Sequence, residues 1–311
     1  MRRAIWNLLG IVLLIVFLVP VVQAEEATQN IQNPMGWMNQ LEEMTLGTVQ
    51  PGSLLERLDQ FEMLVTGKRR DASLVERLTR LDTVILTNQP QDISLLYKTQ
   101  ALEWALFKEV KSGPLKSRLE QMEQLLFGRI YAGPLTKRLE KLVNQIYPGG
   151  VVRGRWVSIP EGLLIRVRML NELNSKQNHS GDSFQYEAAE TVMYNQAIVF
   201  PKGMRSVGLL REIKRPGNLG RDAVLKVDFQ KLRALDGTPV AADYGAKASE
   251  MNSSHTRAVG ISTAGMMAFG PGGILFGMVI KGKEKVIPEG SEFYIQVAEP
   301  ARIYTLIDDR R

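Results

Sequence analysis

Residues 113–132 read GPLKSRLEQMEQLLFGRIYA, and residues 133–142 begin the phrase again as GPLTKRLEKL. A chain that repeats itself at a fixed period stacks copies of one small unit that cannot bury its apolar face alone. Registered on its basic residue, the phrase recurs at Arg57, Arg77, Lys98, Arg118 and Arg138, with spacings of 20, 21, 20 and 20 residues. Four residues before these stand Ser53, Ser73, Ser94, Pro114 and Pro134, and four residues after them Phe61, Leu81, Leu102, Met122 and Leu142. The next residue is acidic in Glu62, Asp82, Glu103 and Glu123. A sixth, worn unit comes first, with Trp37 at the basic position, then Leu41, Glu42, Leu46 and Gly47.

Each unit predicts one helix. Leu54, Leu58, Phe61 and Leu64/Val65 follow the helical period of an apolar stripe. Ser53 with Glu56, and Ser73 with Glu76, have the spacing of a capping box. Pro114 and Pro134 are expected in the first turn, where a missing N–H costs nothing, and Gly67 and Gly128 at the C-terminal cap. Helices of about 13 residues are marginal alone in water, so the units must pack on one another. The stripe residues therefore read as core. The segment LERLDQFE with its glycine turn resembles short helical repeats of exported bacterial envelope proteins, over residues 34–150.

After Pro148-Gly149-Gly150 the period changes to alternation. Ile165, Val167 and Met169 alternate with Arg166 and Arg168, and the same pattern recurs at 184–188, 225–229 and 293–297. Half-buried strands read this way. Three turns of one kind punctuate them, at Pro160-Glu161-Gly162, Pro201-Lys202-Gly203 and Pro288-Glu289-Gly290, and each is expected to join two strands through a type I turn. Asp236-Gly237 marks a further hairpin. The order of IPEGLLIRVRMLNELNSKQNHSGDSFQY, AIVFPKGMRSVGLL, LKVDFQKLRALDGTPV and VIPEGSEFYIQV is distantly similar to the barrel domain of the outer-membrane core subunit of type IV (conjugation) secretion channels, over residues 157–298. That resemblance implies a β module and carries no catalytic residue. That family has a cytoplasmic segment, a membrane anchor and a long proline-rich stretch at its amino end, where this chain has a leader-like segment and helical repeats.

The run from Ala258 to Ile280 carries no charged residue, and Gly270-Pro271-Gly272-Gly273 breaks it midway. It reads as a Gly-rich hairpin of two short apolar arms. Burial over the end of the β domain, contact with a membrane or other subunits, and a single span are the three fates open to it.

At the amino end, Arg2 and Arg3, the apolar run 4–20, and Val22 and Ala24 ahead of Glu25 make a secretory leader with cleavage expected after Ala24; kept uncleaved, it would be an anchor. Loss of the two leader arginines lowers the formal charge from +6 to +4. With no cysteine there is no disulfide, lipobox or thiolate chemistry. The basic clusters, Lys68-Arg69-Arg70 and the stretch 211–221, lie among acidic residues and read as solvated faces, so no nucleic-acid partner is expected.

Residues 277–283 match GxxxxGK, but Glu284 stands where a phosphate loop needs Ser or Thr. His179 and His255 lie in polar stretches without a second ligand, Ser254 beside His255 is no dyad if both lie on a strand, and Asp182 reads as a turn residue. No catalytic, cofactor-binding or metal residue is assigned.

The expected fold is α+β in two domains: leader 1–24, linker 25–33, helical repeats 34–150, an antiparallel β-barrel or sandwich over 151–300 carrying the apolar hairpin 258–280, and a tail 301–311. The expected function is noncatalytic, in the periplasm or cell envelope. The repeats would meet envelope proteins or wall polymer, and 258–280 would give membrane contact or self-association. A channel subunit is the first alternative, and a wall-active hydrolase a weaker one.

Overall fold

The computed structural model describes residues 33–88, 92–215, 223–259, 278–282 and 286–307. The leader, residues 25–32 of the linker, residues 260–277 of the apolar run and residues 308–311 lie outside the described residues. The α+β architecture holds. An amino-terminal array of helices is followed by an antiparallel β half-barrel.

The array consists of α1 (Pro34–Leu46), α2 (Leu54–Thr66), α3 (Leu74–Leu86), α4 (Leu95–Phe107), α5 (Leu115–Phe127) and α6 (Leu135–Ile146), one per unit. Ser53 and Ser73 form both halves of their capping boxes with Glu56 and Glu76. Gly47, Gly67 and Gly128 close their helices with left-handed backbone. Pro114 and Pro134 are the N-cap residues themselves, one position before the expected first turn, and make no side-chain cap bond. Their role is steric. A Cβ on Gly47 would lie 2.6 Å from Pro114 Cγ, and one on Gly67 would lie 2.5 Å from Pro134 Cγ. The end of α1 thus abuts the start of α5, and the end of α2 abuts the start of α6.

The basic and acidic columns of the repeat meet inside the array. Arg57 donates to Glu42, Arg77 to Glu62, Arg118 to Glu103 and Arg138 to Glu123, at 2.6–2.7 Å and always 15 residues apart. The same four carboxylates accept the N–H of Gln50, Arg70, Lys111 and Tyr131 in the loop that follows, at 2.9–3.2 Å. Each glutamate therefore fastens its own loop and the next helix together. All eight side chains are buried, so each charge is held by a partner and by hydrogen bonds that offset its desolvation.

The ladder is interrupted once. Asp82, at the acidic position of α3, receives the indole N–H of Trp37 at 2.9 Å. Trp37 occupies the basic position of α1, so α1, α2 and α3 close into a ring. Helices α4, α5 and α6 repeat the arrangement, with α6 returned to α4 by the Tyr147 hydroxyl donating to the Ala101 carbonyl at 2.8 Å. Both groups of three end in an extended residue, Thr87 and Tyr147, where other units have a left-handed cap. The array is two three-helix rings, and not an open solenoid.

The carboxy-terminal part has an eight-stranded antiparallel sheet in the order β11 (Met278–Gly282), β8 (Ala223–Asp228), β7 (Arg205–Lys214), β4 (Ser183–Ala188), β2 (Leu164–Met169), β13 (Glu292–Val297), β10 (Pro239–Asp243), β9 (Lys231–Arg233). A second sheet has the order β1 (Gly154–Ile159), β14 (Ala301–Ile307), β6 (Ala197–Phe200), β5 (Val192–Tyr194), and β12 (Val286–Ile287) pairs with β3 (Leu173–Asn174). The three proline-glycine turns join β1 to β2, β6 to β7 and β12 to β13, so each carries the chain from one sheet to another. Their form differs from the expected type I. The N–H of Met204 and Ser291 returns to the carbonyl of Pro201 and Pro288, which puts proline at the first corner. Glycine takes the third with φ of +76 to +82°, the geometry of type II. All three corner glycines donate their N–H to a neighbouring strand, at Val297, Ala188 and Met169.

One sequence reading is corrected. Residues 301–307 are not a tail: Ile303 and Leu306 are buried, and the strand sits between β1 and β6. The chain enters the apolar run from a helix, α7 (Ala246–Val259), and leaves it through strand β11; the hairpin expected between them lies outside the described residues. Helix α7 completes the sheet where β10 stops. The Asn252 amide accepts from Tyr294 N–H and donates to the Tyr294 carbonyl, both at 2.8 Å, as a neighbouring strand would.

Candidate functional site

Two surfaces of the molecule are candidates for a site: the seam between the array and the β part, and the outer faces of the helices.

Helix α4 makes the seam. It is buried on nearly every side, through Leu95, Leu96, Tyr97, Thr99, Gln100, Ala101, Leu102, Glu103 and Trp104. One side joins the array core and the other packs on Ile198, Leu235, Tyr304 and Leu306. Tyr97 and Tyr304 lie with ring centroids 5.1 Å apart, and Tyr304 continues to the half-exposed Trp156 at 5.4 Å. Gly154 lets the strand approach: a Cβ there would lie 2.5 Å from the Tyr97 hydroxyl. That hydroxyl is buried without a hydrogen-bond partner among the described residues. At the edge of the seam, Asn88 donates to the Asp236 carbonyl at 3.3 Å.

The loop leaving α4 forms a second clasp. Val110 is buried in the β core, and its N–H donates to the Lys202 carbonyl at 2.8 Å. Gly203 makes room for it, since a Cβ at that position would lie 2.4 Å from the Val110 oxygen. Beside this clasp lies a cleft of about 230 Å³ between the loop and strands β2, β4 and β7. Lys111, Lys202, Arg168 and Arg205 face it, with Glu109 and Glu187. The Lys111 ammonium, with Lys202 behind it, holds the Glu109 carboxyl below the usual carboxylate range.

The residues weighed in the sequence fall elsewhere and apart. His179 is exposed in the turn before β4, where its N–H donates to Asp182 at 2.9 Å. Asp182 is the turn residue expected, its carboxyl lowered chiefly by that bond. Ser254 and His255 lie in α7 and not on a strand. Residues 278–282 are strand β11, so the GxxxxGK match does not open a helix. Lys68-Arg69-Arg70 is a solvated turn, with Arg69 paired to Asp59 at 3.1 Å. Among the described residues no group of three His, Cys, Asp or Glu side chains is placed to hold a metal, and no helix is long and apolar enough to cross a membrane.

The sequence reading missed the seam. Its one available signal was the fourth unit itself, SLLYKTQALEWALF, which is apolar on more faces than a two-sided helix requires.

Neither a family model nor a curated protein matches the chain.

Proposed function

We propose that this is an exported, noncatalytic cell-envelope protein. The helical array is an interaction surface held at a set distance, and the β part anchors or assembles it. One observation carries the reading: the repeat directs its recurrent charged residues inward, where Glu42, Glu62, Glu103 and Glu123 tie loops and helices to one another. Such a repeat makes shape, and its chemistry is used up in holding that shape. What it offers outward includes exposed apolar side chains, Leu55 and Met63 on α2 and Leu125 and Ile130 on and after α5, of the kind that partner proteins cover. The leader-like amino end supports export.

Fractionation of cells followed by crosslinking and mass spectrometry tests this. Recovery in the envelope fraction, with crosslinks from the array to another envelope component, is expected. Retention in the cytosol, or hydrolysis of wall polymer by the purified chain, would contradict it.

A second reading, a secretion-channel subunit, is favoured by one feature. Helix α7 leaves the sheet after β10 and the chain returns as β11, which is where the resembling channel barrels carry a helical insertion. Mass measurement by light scattering separates the two, because a channel subunit forms a ring of defined stoichiometry.

A further inference from the structure

The cleft at the seam holds more positive charge than it neutralises. Four cations face it and share two carboxylates. Glu109 serves Lys111 in a short contact and Lys202 at 3.4 Å. Glu187 serves Arg168 at 3.5 Å and Arg205 at 3.4 Å. Contacts of 3.4–3.5 Å are long for charge-assisted bonds, which close to about 2.7–2.9 Å when satisfied. Arg168 has its close partner outside the cleft, in Glu292 at 2.7 Å. Lys202 and Arg205 have no carboxylate closer than 3.4 Å among the described residues, and their side chains are 45% and 49% exposed.

The walls are fixed, while these two heads are half-exposed and held only by long contacts. Lys202 stands at the corner clasped by Val110, and the N–H of Lys111 is tied to the buried Glu103 at 3.0 Å. Arg205 opens β7 and pairs through the sheet with Glu187 on β4. A rigid cleft with polar walls and surplus positive charge selects a small anionic group and rejects an apolar one.

We infer that the cleft between the α4–α5 loop and strands β2, β4 and β7 binds a single oxyanion, a phosphate or a carboxylate, through Lys202 and Arg205, with Lys111 and Arg168 behind them. The guanidinium fork of Arg205 takes two oxygens and the Lys202 ammonium a third. Because the loop and the corner belong to different halves of the molecule, the bound anion bridges the array to the sheet.

The test is calorimetric titration of the full chain with inorganic phosphate and with acetate, ionic strength held constant with sodium chloride. Saturable binding of one anion per chain is expected. Lys202→Gln with Arg205→Gln should weaken it about tenfold or more, while Lys137→Gln on the distant α6 leaves it unchanged. Glu109→Gln removes the competing carboxylate and should tighten it, a gain that a misfolded variant cannot mimic. Co-sedimentation with phosphatidylglycerol vesicles, competed away by phosphate, assigns the anion to a lipid headgroup; phosphate binding without co-sedimentation assigns it to a soluble species. Binding that does not saturate, or equal affinity in the native and doubly substituted chains, overturns the proposal.

Discussion

Replacing Glu123 removes more than a charge. Its carboxylate holds Arg138 at 2.7 Å and the Tyr131 N–H at 3.2 Å, inside the array. Glu123→Ala leaves a buried guanidinium with only Glu120, at 3.7 Å, beside it, which costs about 3 kcal/mol or somewhat less, the low end of the usual penalty for breaking a buried pair. Glu123→Met with Arg138→Leu takes away both charges and leaves only the Tyr131 N–H without its partner, at about 1–3 kcal/mol. Denaturant unfolding of the three chains checks the order. Asp82 behaves differently, because burial raises its carboxyl pKa, against the Trp37 bond that lowers it. An acid whose folded pKa is raised binds its proton more tightly when folded. The ionised form thus costs stability above the folded pKa, and the cost disappears as pH falls below the ordinary aspartate range. Asp82→Asn keeps an acceptor for Trp37 without that cost. It should be neutral or stabilising at pH 7 and should lose its advantage in acid; lower stability than the native chain at pH 7 would show that the carboxylate charge itself is needed. The basic and acidic columns were both legible in the sequence, but their pairing was not. Residues 15 apart lie beyond the reach of neighbours on one helix, so only packing decides which helix meets which.

At the scale of elements, caps separate two kinds of glycine. Gly67 and Gly128 both have left-handed backbone, at φ +76° and +67°. A Cβ on Gly128 meets nothing within 4 Å, whereas one on Gly67 meets Pro134. Gly128→Ala should therefore lose about 1–2 kcal/mol, the strain of the conformation alone. Gly67→Ala should lose clearly more, and adding Pro134→Ala should restore the difference. Equal costs in thermal unfolding would mean that the junction of α2 with α6 is slack. Five of the six repeat helices and the alternating strands could be read because one face of each is wet, which stamps a period on the sequence; α4, buried on nearly every side, was legible through its place in the repeat. Helix α7 could not: residues 246–259 include three Ser and an Asn, and Asn252 serves the sheet by imitating a strand's backbone. Strand 301–307 was missed for the opposite reason. Its run Ile303 to Leu306 is buried on both faces, which leaves no alternation to see.

For the whole molecule, the reading as a scaffold requires that the array and the half-barrel move as one body. Helix α4 is the joint. It belongs to one ring of the array through Glu103 and Arg118, and to the β part through Tyr97, Tyr304 and Leu306. An array that opened independently of the sheet would carry a bound partner at no fixed distance from the anchor. The candidate site was not legible in the sequence because its residues come from positions 109–112, 168, 187, 202, 203 and 205, which only the fold assembles. Hydrogen exchange across a denaturant series, read by mass spectrometry, measures the joint directly. The amides of α4 should share one opening free energy with those of β1 and β14, merging at the global unfolding limit. If α4 instead opens with α1, α2 and α3 at low denaturant while β14 stays closed, the two halves are separate bodies and the account of a rigid scaffold is wrong.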